Sequence, residues 1–113
     1  MHGLGTAYAN RGDFSFAIDT FTAAIAKYPG NVHDYLSRGQ AYFSRGDDDL
    51  GLTDFNSAIA LDPKLGYLLR AEAYSKMGKY ELALADCEAE LKLLPNDPVA
   101  MRLRQWVKAR IAN

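Results

Sequence analysis

The chain has 113 residues and a net charge of −1, with 49% hydrophobic and 24% charged residues. That is one domain's worth of soluble, globular sequence, with no overall attraction to nucleic acid or to an anionic membrane. No apolar run approaches the roughly 18 residues of a membrane span, the first residues lack the basic start and apolar core expected of a signal peptide, and a single cysteine, Cys87, excludes an internal disulfide. A cytoplasmic location is the resulting expectation.

In chain order, Leu4, Ala7, Tyr8 and Arg11 recur at helical spacing, and Phe14, Ala17, Ile18, Phe21, Ala24, Ile25 and Tyr28 do so again. Between them lies Arg11-Gly12-Asp13, which read as three letters suggests an adhesion ligand. Read physically, Gly12 takes the left-handed conformation that ends a helix, and Asp13 accepts hydrogen bonds from the free amides of the next one. Pro29-Gly30 stops the second helix, and Asn31 offers a cap with Asp34 three residues on. The same frame then returns. Arg45-Gly46-Asp47 lies thirty-four residues after Arg11-Gly12-Asp13, and Met77-Gly78-Lys79 is the same turn thirty-two further on. Asp62-Pro63 both ends one helix and caps the next, two residues shorter than the equivalent turn before it, which should alter the local twist. Asp97-Pro98 opens a last helix with cap and proline in their preferred places.

The recurrence is columnar. Tyr8, Tyr42 and Tyr74 superpose, as do Gly12, Gly46 and Gly78, then Ala17, Gly51 and Ala83, then Phe21, Phe55 and Cys87, and finally Pro29, Pro63 and Pro95. Small residues at Gly5, Ala17, Gly39, Gly51, Ala71 and Ala83 let paired helices approach closely. Arg-Gly-Asp is therefore punctuation of a fold, not a presented ligand.

These columns resemble the tetratricopeptide repeat; in the first unit Leu4, Gly5, Tyr8, Ala17, Phe21, Ala24 and Pro29 all match its pattern. The resemblance covers essentially the whole chain as a single domain. It implies an all-α fold in which antiparallel helix-turn-helix repeats stack as a right-handed superhelical solenoid of about seven helices. The repeats run about 1–31, 32–63 and 64–97, with a capping helix at about 98–113. Met1 falls at the family's first aromatic position, so the opening helix lacks its usual start, as expected of a piece cut from a longer chain. Glu90 replaces a small alanine, and an unpaired buried carboxylate is costly, so it is expected at an edge or paired, with Arg104 the nearest-placed cation.

Candidate chemistry is thin. Arg38 and Arg70 share one column and Asp54 and Asp86 another, which suggests an ion pair between the two helices of each unit rather than a catalytic cluster. Cys87 lies on a core face, where a thiol is structural. Neither His2 nor His33 joins a cluster of metal-ligand spacing or a catalytic triad. Asp47-Asp48-Asp49 lacks the spaced ligands of a calcium loop and reads as a solvated helix start. No enzyme activity, metal or cofactor is expected. The last helix carries Arg102, Arg104, Lys108 and Arg110 with no acid: a solvating cap, or a site for an anionic partner.

The resemblance implies function through the first helix of each unit, which lines a groove that binds an extended peptide or a helix. Its groove positions correspond here to His33, Leu36, Ser37, Gln40, Phe43 and Ser44, then Leu65, Leu68, Leu69, Glu72, Ser75 and Lys76, then Val99, Arg102, Leu103, Trp106 and Arg110. Two more, His2 and Thr6, belong to the first unit. The family's clamp for chaperone C-terminal carboxylates needs Lys, Asn or Arg where this chain has His2, Thr6, Ser37, Leu65 and Leu69, which disfavours chaperone tails. The expectation is a non-catalytic scaffold or adaptor for an unidentified protein or peptide, with no nucleic acid and no membrane as partner. The rival is a self-association module forming homo-oligomers through terminal or swapped helices.

Overall fold

A computed structural model describes residues 13–112. Among them are six α-helices: α1 (Phe14–Lys27), α2 (Val32–Arg45), α3 (Asp48–Leu61), α4 (Pro63–Lys76), α5 (Tyr80–Leu93) and α6 (Pro98–Ala112). The protein is all-α, built of antiparallel hairpins, as the columns imply. The helix expected before Gly12, with Leu4, Tyr8 and the groove positions His2 and Thr6, lies outside the described residues. The chain divides into two compact units, one ending at Asp62 and the other beginning at Pro63. Asp62 alone separates α3 from α4.

The glycine turns behave as their spacing predicts. Gly46 and Gly78 are left-handed, with φ of 97° and 78°. The Asp47 amide donates back to the Tyr42 carbonyl at 2.8 Å, and the Lys79 amide to Tyr74 at 2.9 Å, so the last free carbonyls of α2 and α4 are met by the turn itself. Asn31 caps α2 by accepting from the His33 amide at 3.1 Å, and Asp97 caps α6 by accepting from Val99 at 3.0 Å and Ala100 at 3.3 Å. Asp13 and Asp47 depart from expectation: neither side chain bonds the amides of the helix it precedes. The Asp47 carboxylate is instead held by Arg45 Nε at 2.7 Å, an ionised donor that outcompetes a neutral amide.

Packing follows the small residues. Ala17, Ile18 and Phe21 of α1 bury against Ala41 of α2, with Tyr42 laid beside them. A fully buried Phe such as Phe21 stabilises by about 1.5–3 kcal/mol. The α2–α3 crossing is closer still. A methyl on Gly39 would sit 3.1 Å from the Gly51 carbonyl oxygen, and one on Gly51 would sit 2.9 Å from that of Gly39 and clash with the edge of the Phe43 ring. Phe43 and Phe55 stack around this contact with ring centroids 5.4 Å apart. In the second unit Ala71, Ala73, Ala83, Cys87, Ala100 and Val107 are buried where α4, α5 and α6 meet.

Candidate functional site

Three helices, α2, α4 and α6, stand at corresponding places in the sequence repeat, and one stripe recurs on each. His33, Ser37, Gln40 and Ser44 on α2 match Leu65, Leu69, Glu72 and Lys76 on α4, then Val99, Leu103, Trp106 and Arg110 on α6. These positions are three and four residues apart, so each set shares a helix face. On α2 the stripe is polar, with His33, Gln40 and Ser44 exposed and Ser37 half-buried. In the second unit it is more apolar. Leu65 is 38% exposed and Val99 and Trp106 are 42% exposed, while Leu68, Leu69 and Leu103 are half-buried and Glu72, Lys76 and Arg102 are open. Trp106 sets its ring edge-on to Tyr80 at 5.9 Å and carries the Arg110 guanidinium 3.8 Å above its centre.

Not every expected groove residue is available. Leu36 is only 8% exposed and belongs to the core, because periodicity assigns it a face without saying what covers that face. Phe43 is half-buried and committed to its stack on Phe55. Ser75 turns inward, donating to the Ala71 carbonyl at 2.8 Å.

The arginine and aspartate columns meet. Arg38 Nε and Nη2 donate to the two oxygens of Asp54 at 2.8 and 2.7 Å, and Arg70 meets Asp86 at 2.8 and 2.6 Å. Such bidentate pairing suits the planar guanidinium. Both acids are buried, and hydrogen bonding to them outweighs the opposing effect of burial and raises each arginine's pKa above its already high ordinary value. Each guanidinium also lies between two tyrosines: Tyr35 and Tyr42 around Arg38, Tyr67 and Tyr74 around Arg70, at 5.8–5.9 Å. Sequence reasoning missed these tyrosines. The signal was present, since YLSRGQAY and YLLRAEAY place them three before and four after each arginine.

Glu90 corrects an expectation. It is neither at an edge nor paired with Arg104, but 3% exposed and hydrogen-bonded to Asp97. Burial, then the Asp97 bond and charge, push its carboxyl up to about 7, while the same bond holds Asp97 below the usual carboxylate range. Glu90 Oε1 has no hydrogen-bond partner. Cys87 is buried, and burial followed by the Asp86 charge drives its thiol up to about 11, the opposite of what a nucleophile needs. Among the described residues no group of acids, histidines and cysteines could hold a metal ion, and no helix is long and apolar enough to cross a membrane.

Comparison with known proteins draws these features together. A family profile described as tetratricopeptide repeat matches residues 2–66, and a second with the same description matches residues 66–97. The chain belongs to the tetratricopeptide repeat family. A sequence search of curated proteins returns no match. Among solved structures, this tetratricopeptide chain is similar to the first such domain of Spaghetti (RPAP3) bound to the HSP90 peptide SRMEEVD. That match has a TM-score of 0.88 and 28% identity, covering 99% of this chain and 90% of the other. The second domain of human RPAP3, in complex with the HSP70 peptide SGPTIEEVD, matches at 0.82 and 26% identity, over 94% of this chain and 90% of the other. The Sgt2 domain from Aspergillus fumigatus matches at 0.87 and 25% identity, over 98% and 76%.

Proposed function

We propose that this tetratricopeptide chain is a non-catalytic protein-interaction module, a scaffold or adaptor that takes an extended peptide or a helix along α4 and α6. The observation that carries this reading is the recurrent stripe. Leu65, Val99 and Trp106 are left substantially exposed on one recurring face of α4 and α6, although the same helices bury Ala71, Ala73 and Val107. Exposed apolar side chains beside open Arg and Trp are a common signature of binding surfaces. The peptides held by the Spaghetti and human RPAP3 domains support the same class of function.

The ligand's chemistry is a finer matter. Ser37, Leu65 and Leu69 bring neither charge nor amide to the positions where the family grips a chaperone carboxylate, which favours an apolar helix or strand, oriented on α6 by Arg102. The relatives' chaperone peptides weigh the other way, and so the chaperone tail belongs in the test.

That test uses the purified chain as bait in its native source, with Leu65→Glu/Leu69→Glu as control, and a parallel titration with SRMEEVD. A partner retained by the native chain and lost by the variant supports the reading. A partner bound equally by both places binding elsewhere. Saturable SRMEEVD binding sensitive to the same variant would make the ligand a chaperone tail.

A further inference from the structure

Arg104 stands in the column of Arg38 and Arg70, thirty-four residues after Arg70. Each earlier arginine is closed over by the following helix, whose aspartate, sixteen residues on, meets it at 2.6–2.8 Å. Arg104 has the same place on α6, but no ion pair to an acid among the described residues. The face around it is open. Pro98, Met101, Arg102, Arg104, Gln105 and Lys108 line a shallow depression of about 480 Å³. Met101 is 44% exposed there, and Arg102, Gln105 and Lys108 are exposed as well.

The column substitutions say what this face takes. Where α2 and α4 carry Tyr35 and Tyr67, α6 carries Met101, an adaptable apolar contact. Gly39 and Ala71, which allow close helix approach, become Gln105, so an incoming helix rides higher than α3 does on α2. Tyr42 and Tyr74 become Lys108, a second cation, with Arg102 a third, and α6 contains no acid. The face therefore keeps the arginine of the earlier units and one apolar contact, Met101, in place of their two tyrosines, while adding positive charge.

We propose that this face of α6 docks an acidic amphipathic helix from another protein, one carboxylate of which closes on Arg104 as Asp54 closes on Arg38 and Asp86 on Arg70. Among the described residues the two acids of that column, Asp54 and Asp86, are buried and already held. The face borders the stripe of Leu65, Leu69 and Trp106 and shares Arg102 with it, while Arg104, on which the proposal turns, lies outside the stripe.

The probe is a fluorescein-labelled synthetic peptide of the α3 sequence, DDDLGLTDFNSAIALD, which is acidic and carries the pairing aspartate at its natural position. Anisotropy with the whole chain at low salt should show saturable binding. The affinity should fall at least fivefold for Arg104→Gln, fall similarly for a peptide carrying Asp54→Asn, and fall no further when the two are combined. The peptide variant leaves the protein untouched, so a folding defect in Arg104→Gln cannot imitate the result. Leu69→Glu should leave this binding unchanged. Absence of saturable binding, equal affinity for Arg104→Gln, or loss with Leu69→Glu alone would overturn the proposal. Light scattering that showed a dimer abolished by Arg104→Gln would overturn it in favour of a second copy.

Discussion

Arg45 and Asp47 clasp each other across Gly46: Arg45 Nε and Nη2 both lie 2.7 Å from one carboxylate oxygen of Asp47. The two charged ends of an Arg-Gly-Asp triplet are thus folded back on one another around a left-handed glycine, and Arg45 also reaches Ser15 on α1 at 3.3 Å. An adhesion ligand must present both ends outward, so this geometry is a turn and not a lure. The glycine carries most of the energy. Gly46→Ala, forced into φ of 97°, should cost about 1–2 kcal/mol. Asp47→Ala, removing a pair exposed on both sides, should cost at most about 1 kcal/mol. Urea denaturation of the two variants ranks them; a larger loss from Asp47→Ala would show the ion pair to be the fastener.

The α2–α3 crossing has no room for a methyl group. Gly51→Ala meets the Gly39 carbonyl at 2.9 Å and the Phe43 ring, and overpacking should destabilise by about 1–3 kcal/mol. Gly30→Ala is the matched control, with open space around it and an expected change near zero or slightly stabilising. Equal midpoints for both variants in chemical denaturation would refute the close approach.

Asp54 is buried against a guanidinium that is itself mostly enclosed, with side-chain exposures of 3% and 18%. Asp54→Ala should cost about 3 kcal/mol, because it strands the Arg38 charge. A double-mutant cycle with Arg38→Met should return a coupling of at least about 1 kcal/mol. Purely additive losses would reduce the Tyr–Arg–Asp arrangement to coincidence.

Glu90 makes stability depend on pH in a particular direction. Its carboxyl titrates near 7 when folded, against 4.5 ordinarily, so the folded chain holds a proton that the unfolded chain has released. The stabilisation is complete below about 4.5 and is lost as pH rises through 7, an effect of about 1–3 kcal/mol. Asp97 is shifted the other way, chiefly by the same bond, so its contribution needs the Glu90 proton and is also lost when Asp97 itself is protonated in acid. Glu90→Gln should remove the decline between pH 5 and 7.5 and raise the neutral-pH melting temperature. A flat native profile, or one that rises with pH in this window, would sink the Glu90 assignment.

Helix positions, turns and ion-pair partners were legible in the sequence because each is tied to a repeating register. Gly46, Gly78 and the Arg38–Asp54 spacing are read from periodicity alone. What was not legible depends on competition between neighbours. Asp47 looks like a helix cap until Arg45, two residues away, takes its carboxylate. Leu36 looks like a groove residue until the core covers it. Glu90 looks like an edge residue or a partner of Arg104 until burial and the bond to Asp97 at the start of α6 claim it. Register says which side chains share a face; it does not say which neighbour reaches a given atom first.

The contact of Trp106 with Tyr80 and Arg110 has a practical consequence. Trp106 is the chain's one tryptophan, it is 42% exposed, and it bridges α6 to the start of α5. Its emission therefore reports on the seating of the last helix without any label. A red shift that precedes loss of the far-ultraviolet helix signal on heating would time the release of α6 against the melting of the helices inside it.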